Sequence, residues 1–447
     1  MAGIFKAYDI RGVVGKDLTE EIAYKIGRAY ATFLGCKKVV VGRDMRPHSR
    51  PMFDALSKGL LEQGVNVVDI GVVSTPISYY ANGKLGVDGS VIITASHNPG
   101  EWNGFKLCSE QAIPISGATG IMDIERIVNE EAFAPESETL GTLSEYDIIP
   151  EYVEHIRAHV EIQTPLKVCI DYANGMGIVE GRVFDGLLDI DPIFDVLDGS
   201  FPNHEANPLK IDTYAAIQKK MRDGCYDFGV AFDGDADRAG FLDEKGDIIA
   251  MDSITALIAA SILKKTGSGN IFYDLRSSRA VKEVIEENGG TPMMSRVGHA
   301  FIKKQMRDAD AIFAGELSGH YYFRDNYYTE SSSMAVLLVA ALIVKSGKPL
   351  SALVAPVVRY HASGEINSTV ESTEAALVRV KSEYSGRGEL FELDGVSFEF
   401  GDWRFNVRGS NTEPLIRLNL EADTEEKMVS YRDELLALIR GNPSLDD

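Results

Sequence analysis

Basic residues are in short supply. Lysine and arginine number 45 against 67 aspartates and glutamates, a formal net charge of −22. Such a balance argues against nucleic acid or an anionic membrane surface as partner. It also means that an anionic substrate has to be met by cations gathered locally, because the field of the whole chain repels it. Cysteine is scarce as well: Cys36, Cys108, Cys169 and Cys225 are scattered, with no Cys-x-x-Cys pair, as expected of reduced thiols. No apolar run is long enough for a bilayer; the longest, Met334 to Val344, reads as a buried helix. The opening MAGIFKAYDIRG puts charge and glycine where a signal peptide needs an apolar stretch. These absences set the expectation of a cytoplasmic protein with no nucleic-acid and no membrane partner.

What is present fits a large globular chain. At 447 residues, 45% hydrophobic and 25% charged, the composition is ordinary and the length calls for about three or four domains. From Thr19 to Ala95 helical periodicity (TEEIAYKIGRAYATFL, SRPMFDALSKGLLEQG) alternates with strand-like runs (KKVVVG, VNVVDIG, GSVIIT), which predicts βαβ units on a mostly parallel sheet. A second unit carries polar loops after VCIDY and FGVAF. A third runs from SITALIAASILKK through NIFYDLRSS and RAVKEVIEENGG to AIFAGELSGHYYF. After about Val357 the pattern changes to alternating antiparallel-type strands, with helices TEAALVRVKSEY and TEEKMVSYRDELLALIRG at either side. The expected fold is therefore α/β: four domains, three similar α/β domains with mixed sheets plus a C-terminal α+β domain. The boundaries expected are 1–148, 149–250, 251–360 and 361–447.

Chemistry concentrates in the loops. TASHNPGEWNGFK follows the apolar run Val91–Ile93 and sets Ser96 beside His97. Neighbouring side chains point apart on a strand and do not face one another on a helix, so the two make a poor nucleophile–base pair. A Gly-x-Ser-x-Gly elbow is also missing, so Ser96 needs some other activator. DGDADR places Asp233, Asp235 and Asp237 at alternate positions before Arg238. Carboxylates this close repel unless a cation sits among them, and an all-oxygen set suits a hard ion such as Mg²⁺ or Ca²⁺. An EF-hand is excluded: Asp233, Asp235, Asp237 and Glu244 fall at its ligand positions, but Arg238 stands where its turn requires glycine.

GELSGH gives Glu316, Ser318 and His320 at i, i+2 and i+4. In an extended segment they share one face, and together they can hydrogen-bond vicinal sugar hydroxyls. RGSNTEP puts Arg408, Ser410, Asn411 and Thr412 in a turn between strands, the chemistry of a phosphate cradle. Taken singly, Tyr8, Arg11, Arg43, Arg46, Arg276, Arg279 and His299 read as structural or surface groups.

TASHNP, DGDADR, GELSGH and RGSNTEP, in that order along nearly the whole chain, resemble the α-D-phosphohexomutase family, and GELSGH most resembles its phosphomannomutase/phosphoglucomutase branch. The resemblance implies domains arranged around a central cleft, and a Ser96 that carries a phosphoryl group. It implies that Asp233, Asp235 and Asp237, with the phosphoserine, bind Mg²⁺. Glu316, Ser318 and His320 would read the sugar, with Tyr8 and Arg276 also contacting substrate. Arg408, Ser410, Asn411 and Thr412 would hold the non-reacting phosphate. Arg11, His97, Lys106, Arg238 and His299 fall at active-site positions, and Lys106 would transfer a proton if the cleft lowers its pKa. The implied reaction interconverts hexose 1-phosphate and hexose 6-phosphate, of mannose, glucose or both. It passes through a hexose 1,6-bisphosphate, which is also the activator. Phosphoglucosamine mutase is the alternative within the family, though its members have glutamine where Leu317 stands. A Mg²⁺-dependent sugar phosphatase is the alternative outside it. Small-molecule sugar phosphates are the expected partners, and a monomer or dimer the expected state.

Overall fold

The strands Lys38–Arg43, Asn66–Val72 and Gly89–Ile93 pair in parallel, and the helices Glu20–Leu34, Ser49–Glu62 and Thr75–Leu85 carry the chain through this sheet. Parallel neighbours need such crossovers. The computed structural model describes residues 3–409 and 415–441. After Ile93 the sheet changes sense. Trp102–Ser109 pairs antiparallel with Gly89–Ile93, setting Lys106 opposite Ile92, and Ile10–Val13 pairs antiparallel beyond it, setting Arg11 opposite Gly104. Glycine is required at 104, where a Cβ would lie 2.1 Å from the Ile10 carbonyl oxygen.

The second and third sheets repeat this plan. Lys167–Asp171, Asp189–Ile193 and Phe228–Phe232 run parallel, and Ala239–Leu242 then returns antiparallel to Phe228–Phe232. Asn270–Asp274, Thr291–Ser295 and Phe313–Gly315 run parallel, and Tyr321–Phe323 returns antiparallel to Phe313–Gly315. In all three sheets the loop rich in functional groups joins the third of these parallel strands to its antiparallel neighbour. No residue-level repeat announces this in the sequence; the repeat is topological.

The fourth sheet is wholly antiparallel, in the order His361–Thr369, Leu415–Ala422, Trp403–Gly409, Val396–Glu399, Glu389–Phe391. Its helices Thr373–Tyr384 and Glu425–Arg440 do not lie at either side. They touch each other and share one core, with Val380 and Tyr384 of the first and Leu435 and Ile439 of the second packed on Phe398, Phe405 and Leu420. One continuous core runs through the first three sheets, from Val40 through Val168 to Ile271, whereas the fourth keeps its own. The apolar run from Met334 lies in the helix Ser332–Ser346, whose residues 332–337 are all buried. No single described helix is long and apolar enough to cross a membrane.

Candidate active site

Ser96 lies in the first of the three hairpin loops and is buried. Its φ of 51° puts it in the left-handed region, uncommon for a residue with a side chain. That conformation overturns the strand-or-helix argument against Ser96 and His97 facing one another: Ser96 Oγ lies 3.3 Å from His97 Nδ1. It also donates to Asp233 Oδ2 at 3.2 Å. Arg46 holds the loop in shape. Its buried guanidinium donates to the carbonyls of Ser96, Asn98, Pro99 and Trp102 at 2.7–3.1 Å and pairs with Asp44. Arg11 adds a bond to Asn98 Oδ1 at 2.6 Å and is itself held by Asp9. The acidic loop packs so closely that a Cβ on Gly234 would lie 2.3 Å from the Ser96 carbonyl oxygen.

Asp233, Asp235 and Asp237 are all buried and offer oxygens within 4.8 Å of one another. Asp235 Oδ1 has no hydrogen-bond partner among the described residues, and Asp237 Oδ1 has His320 Nε2 at 3.3 Å and Arg238 Nε at 3.9 Å. Three desolvated carboxylates, one with an oxygen to spare, are a donor set that could hold a hard metal ion. Burial, with Asp237 and Asp235 beside it, pushes the Asp233 carboxyl well above the usual carboxylate range. For Asp237 burial acts the same way, but Lys106 and His320 outweigh it and hold the group well below that range. Lys106 Nζ lies 2.6 Å from both Asp235 Oδ2 and Asp237 Oδ2. Burial alone would push its ammonium down, yet the two aspartates outweigh burial and its pKa is raised. The condition set for proton transfer by Lys106, a lowered pKa, is therefore not met: its ion pairs, not desolvation, govern it.

The sugar-reading motif is corrected in shape. Glu316–His320 is not extended; it is the tight turn between Phe313–Gly315 and Tyr321–Phe323, closed by Glu316 N–H to His320 O at 3.0 Å and by Gly319 at φ 85°. The three side chains still meet, because the turn folds them together. Ser318 Oγ lies 2.8 Å and Glu316 Oε2 3.2 Å from His320 Nδ1. The other ring nitrogen lies 3.3 Å from Asp237 Oδ1 and 3.2 Å from Arg238 Nε. Burial opposes a charge on His320, but Asp237 and Glu316 overcome it and raise the imidazole to about 9.

From this turn a line of charges runs into the fourth domain. Arg276, fixed by Asp274 at 2.7 Å, lies 4.0 Å from Glu316 and 3.9 Å from Glu365, and Glu365 accepts from Arg408 at 2.9 Å. Ser410, Asn411 and Thr412 lie outside the described residues. His299 begins the helix His299–Asp308 and packs edge-on against Tyr8, ring centroids 5.8 Å apart. Burial, then Lys303 and Lys106, holds its imidazole well below the usual value, so the ring is neutral. Tyr8 donates to the Val297 carbonyl at 3.2 Å.

Four supporting groups gave no signal in the sequence. Thr75 donates to Asp235 Oδ2 at 2.6 Å. Glu330, fully buried, pairs with Lys303 at 2.6 Å and lies 3.7 Å from His299 Nδ1. Glu365 and Arg417 meet at 3.3 Å. Each acts on a residue far away in the chain, and no local pattern records that.

Comparison with known proteins covers all four domains. Residues 2–135, 150–246 and 250–360 match phosphoglucomutase/phosphomannomutase alpha/beta/alpha domains I, II and III, and residues 365–438 match the C-terminal domain. The chain is 40% identical over 453 residues to a phosphomannomutase of Escherichia coli, covering 98% of this chain and 99% of that one. It is 39% identical over 441 residues to a phosphomannomutase of Methanocaldococcus jannaschii, covering 98% and 97%. Among solved structures, a phosphoglucomutase/phosphomannomutase family protein from Burkholderia thailandensis superposes with a TM-score of 0.90 at 31% identity, covering 98% and 97%. With each of the four domains matched and the whole length shared, the chain belongs to the phosphoglucomutase/phosphomannomutase family of phosphohexomutases.

Proposed function

We propose that the protein interconverts hexose 1-phosphates and hexose 6-phosphates of mannose, glucose or both, with Ser96 as phosphoryl carrier and a hexose 1,6-bisphosphate as intermediate. The observation that carries this reading is the hydrogen bond from Ser96 Oγ to Asp233 Oδ2. It joins a nucleophile from one domain to an acidic triad from the next, beside Arg238 and His97, whose imidazole is held well below its usual value by burial and then by Arg238 and Arg11. In the four-part division 1–148, 149–250, 251–360 and 361–447, the domains serve in turn as phosphoryl carrier, metal holder, sugar reader and cradle for the distal phosphate.

The forward reaction conserves phosphate. The Ser96 Oγ–P bond breaks as a hydroxyl of hexose 1-phosphate forms a new O–P bond, giving the 1,6-bisphosphate. The hydroxyl proton leaves as that bond forms and, over the step, the Ser96 oxygen freed from phosphorus regains a proton; the return transfer reverses this, with a proton restored to the freed sugar oxygen. After the intermediate turns over, Ser96 Oγ takes the other phosphoryl group and the 6-phosphate departs. The residues supply positioning and charge, which dominate phosphoryl transfer. Arg46 and Arg11 fix the loop that carries Ser96. Arg238 lies against the Asp233 and Asp237 side of the transfer site at 3.7 and 3.9 Å. Asp233, Asp235 and Asp237 would hold Mg²⁺, which when bound offsets negative charge on the transferring phosphoryl oxygens. Glu316, Ser318 and His320 read hydroxyls common to both orientations of the sugar, with Tyr8 and His299 beside them. Arg408, with Ser410, Asn411 and Thr412, holds the phosphate that does not react. Lys106, kept charged between two aspartates, serves this site as a fixed cation.

Steady-state rates on mannose, glucose and glucosamine 1-phosphates, with Mg²⁺ and a trace of hexose 1,6-bisphosphate, test the proposal. Turnover of mannose or glucose 1-phosphate to the 6-phosphate is expected. Strong preference for the amino sugar would move the protein to another branch of the family. Release of inorganic phosphate without isomerisation would make it a phosphatase.

A further inference from the structure

Guanidinium groups from two domains converge on one carboxylate. Glu365 projects from the strand His361–Thr369, its Oε2 accepting from Arg408 Nη2 at 2.9 Å and its Oε1 3.3 Å from Arg417 Nη1. Oε2 also lies 3.9 Å from Nη1 of Arg276, from the third domain. Sheet register brings them together. Arg408 pairs directly with Arg417 across two strands, and Glu365 stands on the strand beyond, opposite Asn419. Arg276 already has Asp274 as a bidentate partner, so Arg408 and Arg417 share Glu365 as their counter-charge. Among the described residues, one carboxylate against these two guanidiniums leaves the locus net positive in a chain of charge −22. The Nε groups of both arginines are buried without a partner among the described residues. The arrangement is thus an anion site built for more negative charge than one carboxylate supplies. Its fork geometry accepts carboxylate or phosphate alike.

We propose that Glu365 is the resident anion of the phosphate cradle, occupying Arg408 and Arg417 until the substrate's non-reacting phosphate displaces it, and that Arg417 is a further phosphate ligand. The inference rests on the phosphohexomutase reading and adds a reason for the carboxylate. A 1,6-bisphosphate has to leave the cradle by one phosphate and return by the other. Arginines with no competing anion would hold it too tightly to turn over, and affinity shared equally by every bound state adds nothing to the rate. Glu365 takes the arginines during that interval. A tethered monoanion is displaced by a phosphate dianion more readily than by a singly charged ligand, so the same residue selects for the dianion.

Isothermal titration of the full-length protein with inorganic phosphate, at constant ionic strength, tests this. Glu365→Gln is expected to bind phosphate about tenfold more tightly than the parent, and Arg417→Met about tenfold more weakly. The gain is expected to vanish when Glu365→Gln is combined with Arg408→Met, which assigns it to this cradle and not to the Ser96 side of the cleft. Glu365→Ser is a second neutral variant should the glutamine form fail to fold. In turnover, Glu365→Gln should lower KM and kcat together. Unchanged or weaker phosphate binding by both neutral variants would overturn the inference and leave Glu365 as a strut for the arginines. The two readings fail separately. A protein that isomerises hexose phosphates but shows no gain in the variants sinks only this inference. One that shows the gain but isomerises nothing sinks only the mutase reading.

Discussion

At the scale of single residues, Lys106 sets the electrostatics. Its ammonium bridges Asp235 and Asp237 at 2.6 Å each while buried, so it supplies positive charge where a metal ion would. Removing one member of a buried ion pair leaves an uncompensated charge that costs about 3–5 kcal/mol. Lys106→Met should therefore lower the melting temperature in EDTA. Saturating Mg²⁺ should raise it further in the variant than in the parent, because a ligand that binds only the folded state stabilises it by mass action. Thermal melts of both proteins with and without Mg²⁺ check this, and an equal response to metal would contradict it. Much of this residue chemistry was legible in the sequence, since each motif packs its groups into a few consecutive positions. Thr75, Glu330, Glu365 and Arg417 were not legible. They matter through partners more than 30 residues away, such as Asp235 for Thr75 and His299 for Glu330, and periodicity carries no trace of such pairings.

At the scale of elements, the three functional loops are three copies of one device: a hairpin that turns a sheet from parallel to antiparallel, at the carboxyl end of a buried strand, where open α/β sheets place their ligands. Strand periodicity made the strands readable but left GELSGH extended, because a five-residue turn closed by a glycine at positive φ breaks the alternation. Side chains spaced as if on one strand face meet here by a different geometry. The two C-terminal helices were legible as helices but not in their placement, since amphipathic periodicity gives a buried face without naming its neighbour. Helix starts also carry a titration. Asp252, in the first turn of Met251–Thr266, accepts from the Ser278 N–H at 2.8 Å, and burial raises its carboxyl from 3.8 to about 6. The folded chain then holds this proton more tightly than the unfolded chain. Its contribution is present below pH 4 and is lost as pH rises through 6. Asp252→Asn, which keeps the acceptor, should be more stable relative to the parent at pH 7 than at pH 4 by about 2–3 kcal/mol. Urea unfolding at the two pH values measures it, and a pH-independent difference would contradict it.

At the scale of the whole molecule, the first three domains are joined through a buried acid. Glu180 accepts hydroxyl bonds from Ser74 of the first domain, from Tyr152 at 3.0 Å and from Ser333 of the third, all buried. Losing it leaves three hydroxyls unpaired, at about 1–3 kcal/mol for each one that cannot find another partner. The fourth domain keeps its own core, and the two tryptophans divide accordingly: Trp102 lies in the first domain and Trp403 in the fourth. Glu180→Ala should therefore shift the unfolding midpoint reported by Trp102 well below the parent's and move that of Trp403 much less, read in Trp403→Phe and Trp102→Phe backgrounds. Equal shifts would mean that the four domains unfold as one.

All three scales meet at Ser96, whose left-handed backbone, buried hydroxyl and bond to Asp233 make sense together if it carries a phosphoryl group between substrate orientations. Intact-protein mass spectrometry with peptide mapping, after incubation with glucose 1,6-bisphosphate and Mg²⁺, tests this directly. The predicted result is one phosphoryl group per chain, on Ser96, discharged by excess hexose 1-phosphate and absent from Ser96→Ala. Isomerisation that proceeds with Ser96 unmodified, or with the phosphoryl group on another residue, would contradict it.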